Sequence, residues 1–273
     1  MTEQIPLPER LVNEGLRNEA GIVEVRSDLA YLTTGIVNVA FIGYPKSDWV
    51  LVDAGLQGYG AKIVEAAESR FGSFATPRCI LLTHGHFDHV GSLEFLLGHW
   101  ENVPVFAHPH EVPFLNGTTS YSPPDARAGG GIMTLLSPLF PRKPIDVSSR
   151  LAEVPLQGEV PDLKDWQWLH TPGHTPGHIS LWREHDRVLL AGDAFITTRQ
   201  ESAYHAVVQT AELHGPPRYF TPDWASAHQS VRMLADLEPY LAVTGHGKSV
   251  SGPELSVNLH LLADNFVSIA VPC

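Results

Sequence analysis

Hydrophobic positions near the start of the chain fall into short Val- and Ile-rich runs bounded by Gly, Asp or Pro. GIVEVR, GIVNVAFIG and WVLVDAG each predict a strand. Helical spacing follows, with Ile63, Ala66, Ala67 and Arg70 on one face of a helix expected over Tyr59 to Phe71. A short strand is then predicted at Cys79 to Leu82, a helix from about Gly91 to Trp100 and a strand at Val103 to His108. The alternation resumes with strands at Leu151 to Val154, Trp166 to His170, His178 to Trp182 and Arg187 to Ala191. A helix over Asp223 to Leu237, a strand at Leu241 to Thr244 and a helix from Pro253 to about Val267 complete the pattern. Two successive series of strands and helices suggest two sheets packed face to face with helices outside.

Two stretches break the pattern. Gly117 to Arg150 is too rich in proline and glycine for a regular core element, yet it carries Tyr121, Ile132, Met133, Leu135, Leu136, Leu139 and Phe140. A lid or binding loop and a surface insertion packing on its own side chains both fit such a segment. The second irregular stretch is Phe195 to Pro222. The whole chain, 1–273, therefore reads as a single domain with a lid or insertion at about 112–150.

Composition narrows the partners. With 273 residues, 43% hydrophobic and 18% charged, the chain has ample sequence for a core. A formal charge of -12 and a pI near 5.6 give little attraction for phosphate backbones or anionic membranes, so neither nucleic acid nor a membrane is an expected partner. MTEQIPLPERLVNEG lacks the pattern of a secretory signal, and no apolar run is long enough to span a bilayer, which makes cytoplasmic the expected location. Cys79 and Cys273 lack metal-like spacing and read as a buried small hydrophobe and a tail thiol.

The chemistry concentrates after the strand at Cys79 to Leu82, in THGHFDH. His84 and His86 are two apart and can bind one ion together, while Asp88 and His89 are placed to address a second; the donor types suit zinc, manganese or iron. A histidine-rich surface turn is the plain alternative. Three later features weigh against it: WLHTPGHTPGHISLW presents His174, VLLAGDAF delivers Asp193, and LAVTGHGKS places His246 between two glycines. Each candidate ligand lies just past the end of a predicted strand, where loops from several strands can meet.

HGHFDH, TPGHTPGH, AGDAF and TGHGK, in this order, resemble the metallo-β-lactamase superfamily over roughly Gly21 to Ser251. The resemblance implies an α/β fold, the αββα sandwich of two mixed β-sheets, with a dinuclear metal site on one edge. It assigns His84, His86 and His174 to one ion, Asp88, His89 and His246 to the other, and Asp193 to a bridge between them. It also implies that Asp53, in LVDAG, hydrogen-bonds to a ligand histidine. Two divalent ions follow as cofactors, with zinc expected and iron or manganese as alternatives. Of the other histidines, His178 falls inside the next strand, His108 and His110 suit a capping or surface role, and His170 suits either a strand end or a group orienting a ligand.

Two ions so held imply hydrolysis by a metal-bridging hydroxide that attacks a carbonyl carbon, with Asp88 or Asp193 passing the proton. No GxSxG nucleophile motif is present. Within the resembling family, His86 stands where di-iron oxygen-reducing members carry glutamate, and little more than one helix follows His246, against the helical domain of glyoxalase II thioesterases. The complete ligand set and the absence of a signal also argue against an antibiotic-resistance role. The nearest resemblance is to lactonases and related esterases or phosphotriester hydrolases, so the expected substrate is a small hydrophobic lactone or carboxylic ester. Candidate lining residues are Phe114, Tyr121, Met133, Leu135, Phe140, Phe195, Tyr204 and His205, with Tyr204 as a hydrogen-bond donor to the oxyanion. Phosphotriester hydrolysis, thioester hydrolysis, and a non-catalytic or redox metal protein remain as alternatives; a homodimer is compatible with the chain.

Overall fold

In the computed structural model, which describes residues 4–13, 15–128, 131–199 and 210–272, the chain divides into two compact units. One comprises Glu14–Tyr121 with Arg142–Lys164; the other comprises Met1–Asn13, Ser122–Pro141 and Asp165–Cys273.

The first unit is built on an eight-stranded sheet. Its order follows the chain: Leu16–Arg17, Val23–Arg26, Leu29–Thr34, Val37–Ile42, Val50–Val52, Ile80–Leu81, Val105–Ala107 and Leu151–Glu153. The early strands pair antiparallel through hairpins, and the last four are parallel, joined by crossovers that carry helices. Val37–Ile42 is buried at every position, as expected of a strand covered on both faces. The helix Gly60–Phe71 packs Ile63, Val64, Ala66, Ala67 and Phe71 into the unit's core. Trp49 stacks on Phe71 with ring centroids 4.5 Å apart and meets the edge of Trp100.

Arg70 lies on the same buried face. Its guanidinium pairs with Glu24 and donates to the carbonyls of Ser27 and Gly43 at 3.2 and 2.9 Å. A charge at a core-facing helical position is thereby paired and hydrogen-bonded, as burial requires.

In the second unit the main sheet places Leu163–His170, Ile179–Arg183, Val188–Gly192, Leu241–Thr244 and Val250–Ser251 side by side in that order. Val188–Gly192 and Leu241–Thr244 run parallel, and their neighbours are antiparallel. The helices Trp224–Asp236 and Pro253–Asp264 bury Val231, Leu234, Leu255, Leu259 and Leu262 in a core shared with Trp182, Phe195 and Phe266.

The irregular segment at 112–150 is shared between the units. Its base belongs to the first, where Asn116 bridges Asp146 and Val147 N–H donates to the Leu115 carbonyl at 2.9 Å. Residues 122–141 belong to the second, with a short helix Ile132–Leu136 and Asp125 N–H donating to the Tyr219 carbonyl at 2.9 Å. No helix among the described residues is long and apolar enough to cross a membrane.

Candidate metal centre

Parallel pairing decides where the first unit's polar residues gather. Val50–Val52, Ile80–Leu81 and Val105–Ala107 point the same way, so the residues that follow them emerge at one edge. These are Asp53, the Thr83–His86 loop and His108. The short helix Phe87–Val90 continues from that loop and carries Asp88 and His89. The facing nitrogens of His84 and His86 lie within 4.8 Å of one another, as do the ligand atoms of Asp88 and His89.

The hydrogen bonds fix which ring nitrogen is offered to an ion. Asp53 is buried, and its carboxylate accepts from Thr83 N–H, the Thr83 hydroxyl and His89 Nδ1, each at 2.8 Å. A carboxylate only accepts, so His89 carries its proton on Nδ1, and Nε2 has the lone pair. The Thr83 hydroxyl has already spent its proton on Asp53; at 3.1 Å it therefore accepts from His84 Nδ1. Both ligand rings are held in the tautomer that turns Nε2 outward as a donor to metal. The sequence had assigned Asp53 to this contact by resemblance, and the structure forms it.

The second unit repeats this logic. Val188–Gly192 and Leu241–Thr244 end at one edge and deliver Asp193 and His246. The turn that returns Leu163–His170 into the antiparallel Ile179–Arg183 opens at the same edge and carries His174. Gly173, at φ 130, lets that turn lie on the start of the helix Trp224–Asp236; a Cβ there would stand 2.3 Å from Ala227 N. His170 Nε2 contacts the Pro176 carbonyl at 2.9 Å and steadies the turn. The Thr221 hydroxyl donates to the Pro217 carbonyl at 2.7 Å, so at 3.1 Å it accepts from His174 Nδ1, again leaving Nε2 forward.

His246 and His174 approach one carboxylate oxygen, Asp193 Oδ2, with their Nε2 atoms at 3.1 and 3.5 Å. Two donors on a tetrahedral zinc, each about 2.0–2.1 Å from it, stand roughly 3.3 Å apart. Each of the two imidazoles is therefore spaced to share an ion with Asp193. All seven predicted ligands are buried, from 0% exposed for His84 and His89 to 6% for Asp88. Neutral imidazoles and carboxylates, with no thiol among them, suit zinc, iron or manganese alike.

Sequence reasoning missed Glu111. This carboxylate is fully buried after the strand Val105–Ala107 and accepts from Gly85 N–H at 2.9 Å and from the Tyr121 hydroxyl. Tyr121 lies against the His86 ring, centroids 4.5 Å apart, and stacks on Phe114 at 3.9 Å. Burial first, and the Glu111 charge second, push the phenol pKa well above its ordinary value. A Cβ at position 85 would stand 2.7 Å from the Tyr121 oxygen, so glycine is what admits the tyrosine to the ligand loop. The sequence marks Tyr121 only as a candidate lining residue, because its contact with Gly85 spans 36 positions, beyond any local pattern. His108 caps the turn Pro109–Glu111, its Nδ1 accepting from His110 N–H at 3.2 Å. Tyr204 and His205 lie outside the described residues.

The family model of the metallo-beta-lactamase superfamily matches residues 32–246. The probable metallo-hydrolase YflN of Bacillus subtilis (strain 168) is 46% identical over 256 residues, 93% of this chain and 96% of that protein. A second relative from the same organism, the probable metallo-hydrolase YybB, is 30% identical over 203 residues, 74% of this chain and 77% of its own. Among solved structures, a beta-lactamase domain protein from Burkholderia ambifaria superposes with a TM-score of 0.62 at 20% identity, over 94% of this chain and 81% of that one. The ordered motifs, the strand-end histidines and these likenesses agree: the chain belongs to the metallo-β-lactamase superfamily and has its fold.

Proposed function

We propose that this metallo-hydrolase cleaves a small, rather hydrophobic lactone or carboxylic ester. His84, His86, Asp88, His89, His174, Asp193 and His246 together hold two divalent ions, with zinc proposed for both. The observation that carries the reading is the common tautomer of His84, His89 and His174, each locked through Nδ1 so that Nε2 is presented to an ion. Such ions, when bound, acidify water and polarise a carbonyl oxygen. The chain's own residues supply the rest. Asp193 and Asp88 are the buried carboxylates placed to receive and return a proton, and Asp53, Thr83 and Thr221 hold the imidazoles against rotation. Tyr204 is proposed as a hydrogen-bond donor to the reacting oxygen.

The segment 131–140 is proposed to receive the apolar side of the substrate. Ile132, Leu135 and Leu139 are 57%, 70% and 79% exposed on it, and Phe140 meets Tyr219 and Phe220 with centroids 6.1 and 6.2 Å away. An aliphatic or aromatic group laid on such a surface removes apolar area from water, at about 25 cal/mol per Å².

The test is a panel of simple lactones, acyl-homoserine lactones, aryl esters and a paraoxon-like phosphotriester, run on metal-analysed protein beside His86→Ala and Asp193→Ala. Opening of a lactone or ester, lost in both variants, is the expected result. Turnover of the phosphotriester alone would move the assignment to phosphorus, and no turnover by a filled site would replace catalysis with metal binding.

A further inference from the structure

Asp193 stands just past a strand whose ladder is already irregular. The pairing of Val188–Gly192 with Leu241–Thr244 shifts register between Leu190 and Gly192, and Gly192 has φ 54. Regular sheet bonding does not hold the aspartate there. Instead its N–H donates to His178 Nε2 at 2.9 Å.

That single bond sets the direction of a chain of others. A backbone N–H only donates, so Nε2 of His178 has the lone pair and the neutral ring keeps its proton on Nδ1. Nδ1 faces the Thr171 hydroxyl at 2.8 Å and the Thr171 carbonyl at 3.1 Å. The Thr171 oxygen lies 3.0 Å from the Ser180 hydroxyl, and Ser180 donates to the Ala191 carbonyl at 2.9 Å. Asp193 thus donates to His178, His178 to Thr171, Thr171 to Ser180, and Ser180 back to Ala191. The circuit closes two residues from where it starts, with every side chain in it at most 2% exposed. Buried polar networks satisfied in this way fix one arrangement.

We propose that His178 is a positioning residue for the metal site: a neutral imidazole, protonated on Nδ1, that sets where the Asp193 carboxylate enters it. The inference rests on the dinuclear reading above. Within the one motif TPGHTPGH, His174 faces the carboxylate of Asp193 through Nε2 at 3.5 Å, and His178 grips its backbone. Histidines four positions apart thus address the two ends of one aspartate, His178 as acceptor of its N–H and His174 as a lone pair facing its carboxylate.

Two substitutions separate the ring's two tasks. In His178→Gln the amide oxygen stands where Nε2 was and still accepts from Asp193 N–H, while the bond to Thr171 is lost. In His178→Asn the amide nitrogen stands where Nδ1 was and keeps Thr171, while Asp193 is released. Both lose one buried hydrogen bond, so a merely structural role would affect them equally. Zinc affinity is read on the full-length protein by competition with a chromophoric chelator. The expected result is a loss of roughly 10- to 100-fold in His178→Asn and of no more than about threefold in His178→Gln. Equal losses, or no loss in either, would overturn the proposal. If the Asn variant does not fold, His178→Leu also releases Asp193 N–H without adding a buried polar side chain; unchanged zinc affinity there would overturn it too. Wild-type protein that binds no pair of zinc ions would instead remove the reading on which the proposal stands.

Discussion

Asp53 adopts φ 63, a left-handed backbone that asparagine and aspartate tolerate better than most residues. At that turn its short carboxylate reaches two groups of Thr83 and the ring of His89 together. Local strain thus sits where it aligns candidate ligands. Cys79 is the opposite case, a reactive group type kept unreactive. Burial, seconded by the charge of Asp162, pushes its thiol up to about 12, so the thiolate needed for reaction is scarce at neutral pH. Folded protein at pH 8 should leave Cys79 unlabelled by iodoacetamide in peptide mass mapping, and denaturant should expose it. Rapid labelling in the native state would contradict the burial. The candidate ligands were visible as histidines and aspartates recurring just past apolar strand runs, in motifs that together resemble one family. Glu111 was not, since its partners Gly85 and Tyr121 lie 26 and 10 positions away.

Among the elements, the helix Trp224–Asp236 begins with a cap that can be tested. Asp223 accepts from Ser226 N–H at 3.0 Å and from the Ser226 hydroxyl at 2.7 Å. The backbone bond first and the hydroxyl second hold its carboxyl below the ordinary range. Asp223→Ala should cost about 1 kcal/mol in urea unfolding at pH 7. Because the native pKa is depressed, the cap contributes fully above the ordinary carboxylate value and is lost as pH falls through the native one. The difference between the two proteins should therefore shrink in acid; a difference that is constant with pH would dissociate the cost from the carboxylate. The helix itself was predicted within a residue at each end. Leu29–Thr34, by contrast, was not predicted: LAYLTT ends in polar residues, and its strand character comes from six-residue pairing with Val37–Ile42. The helix expected from about Gly91 to Trp100 is Leu93–His99, and a separate helical turn, Phe87–Val90, precedes it and carries Asp88 and His89. Two-residue strands such as Leu16–Arg17 take their form from their partner and leave no pattern of their own.

At the scale of the whole molecule, the proposed ions act as ligands of the native state alone. Protein stripped with EDTA should melt about 5–10 °C lower than zinc-loaded protein, as expected for roughly 3 kcal/mol of linkage in a chain of this size, and zinc should restore it. Identical melting curves would mean that the buried histidines bind no metal in the folded chain. The αββα fold was foreseen from motif order. The division of the proline-rich segment between the two units was not, because composition marks irregularity without saying where a segment docks. Within the first unit that segment is tied at its base by the bridge between Asn116 and Asp146, so its two ends are fixed beside each other. Closing a longer or shorter excursion between such fixed ends changes the entropy only slowly with length. Residues 122–141 are in that respect a cassette: foreign loops could be grafted there while Tyr121 keeps its contacts with Gly85 and Glu111.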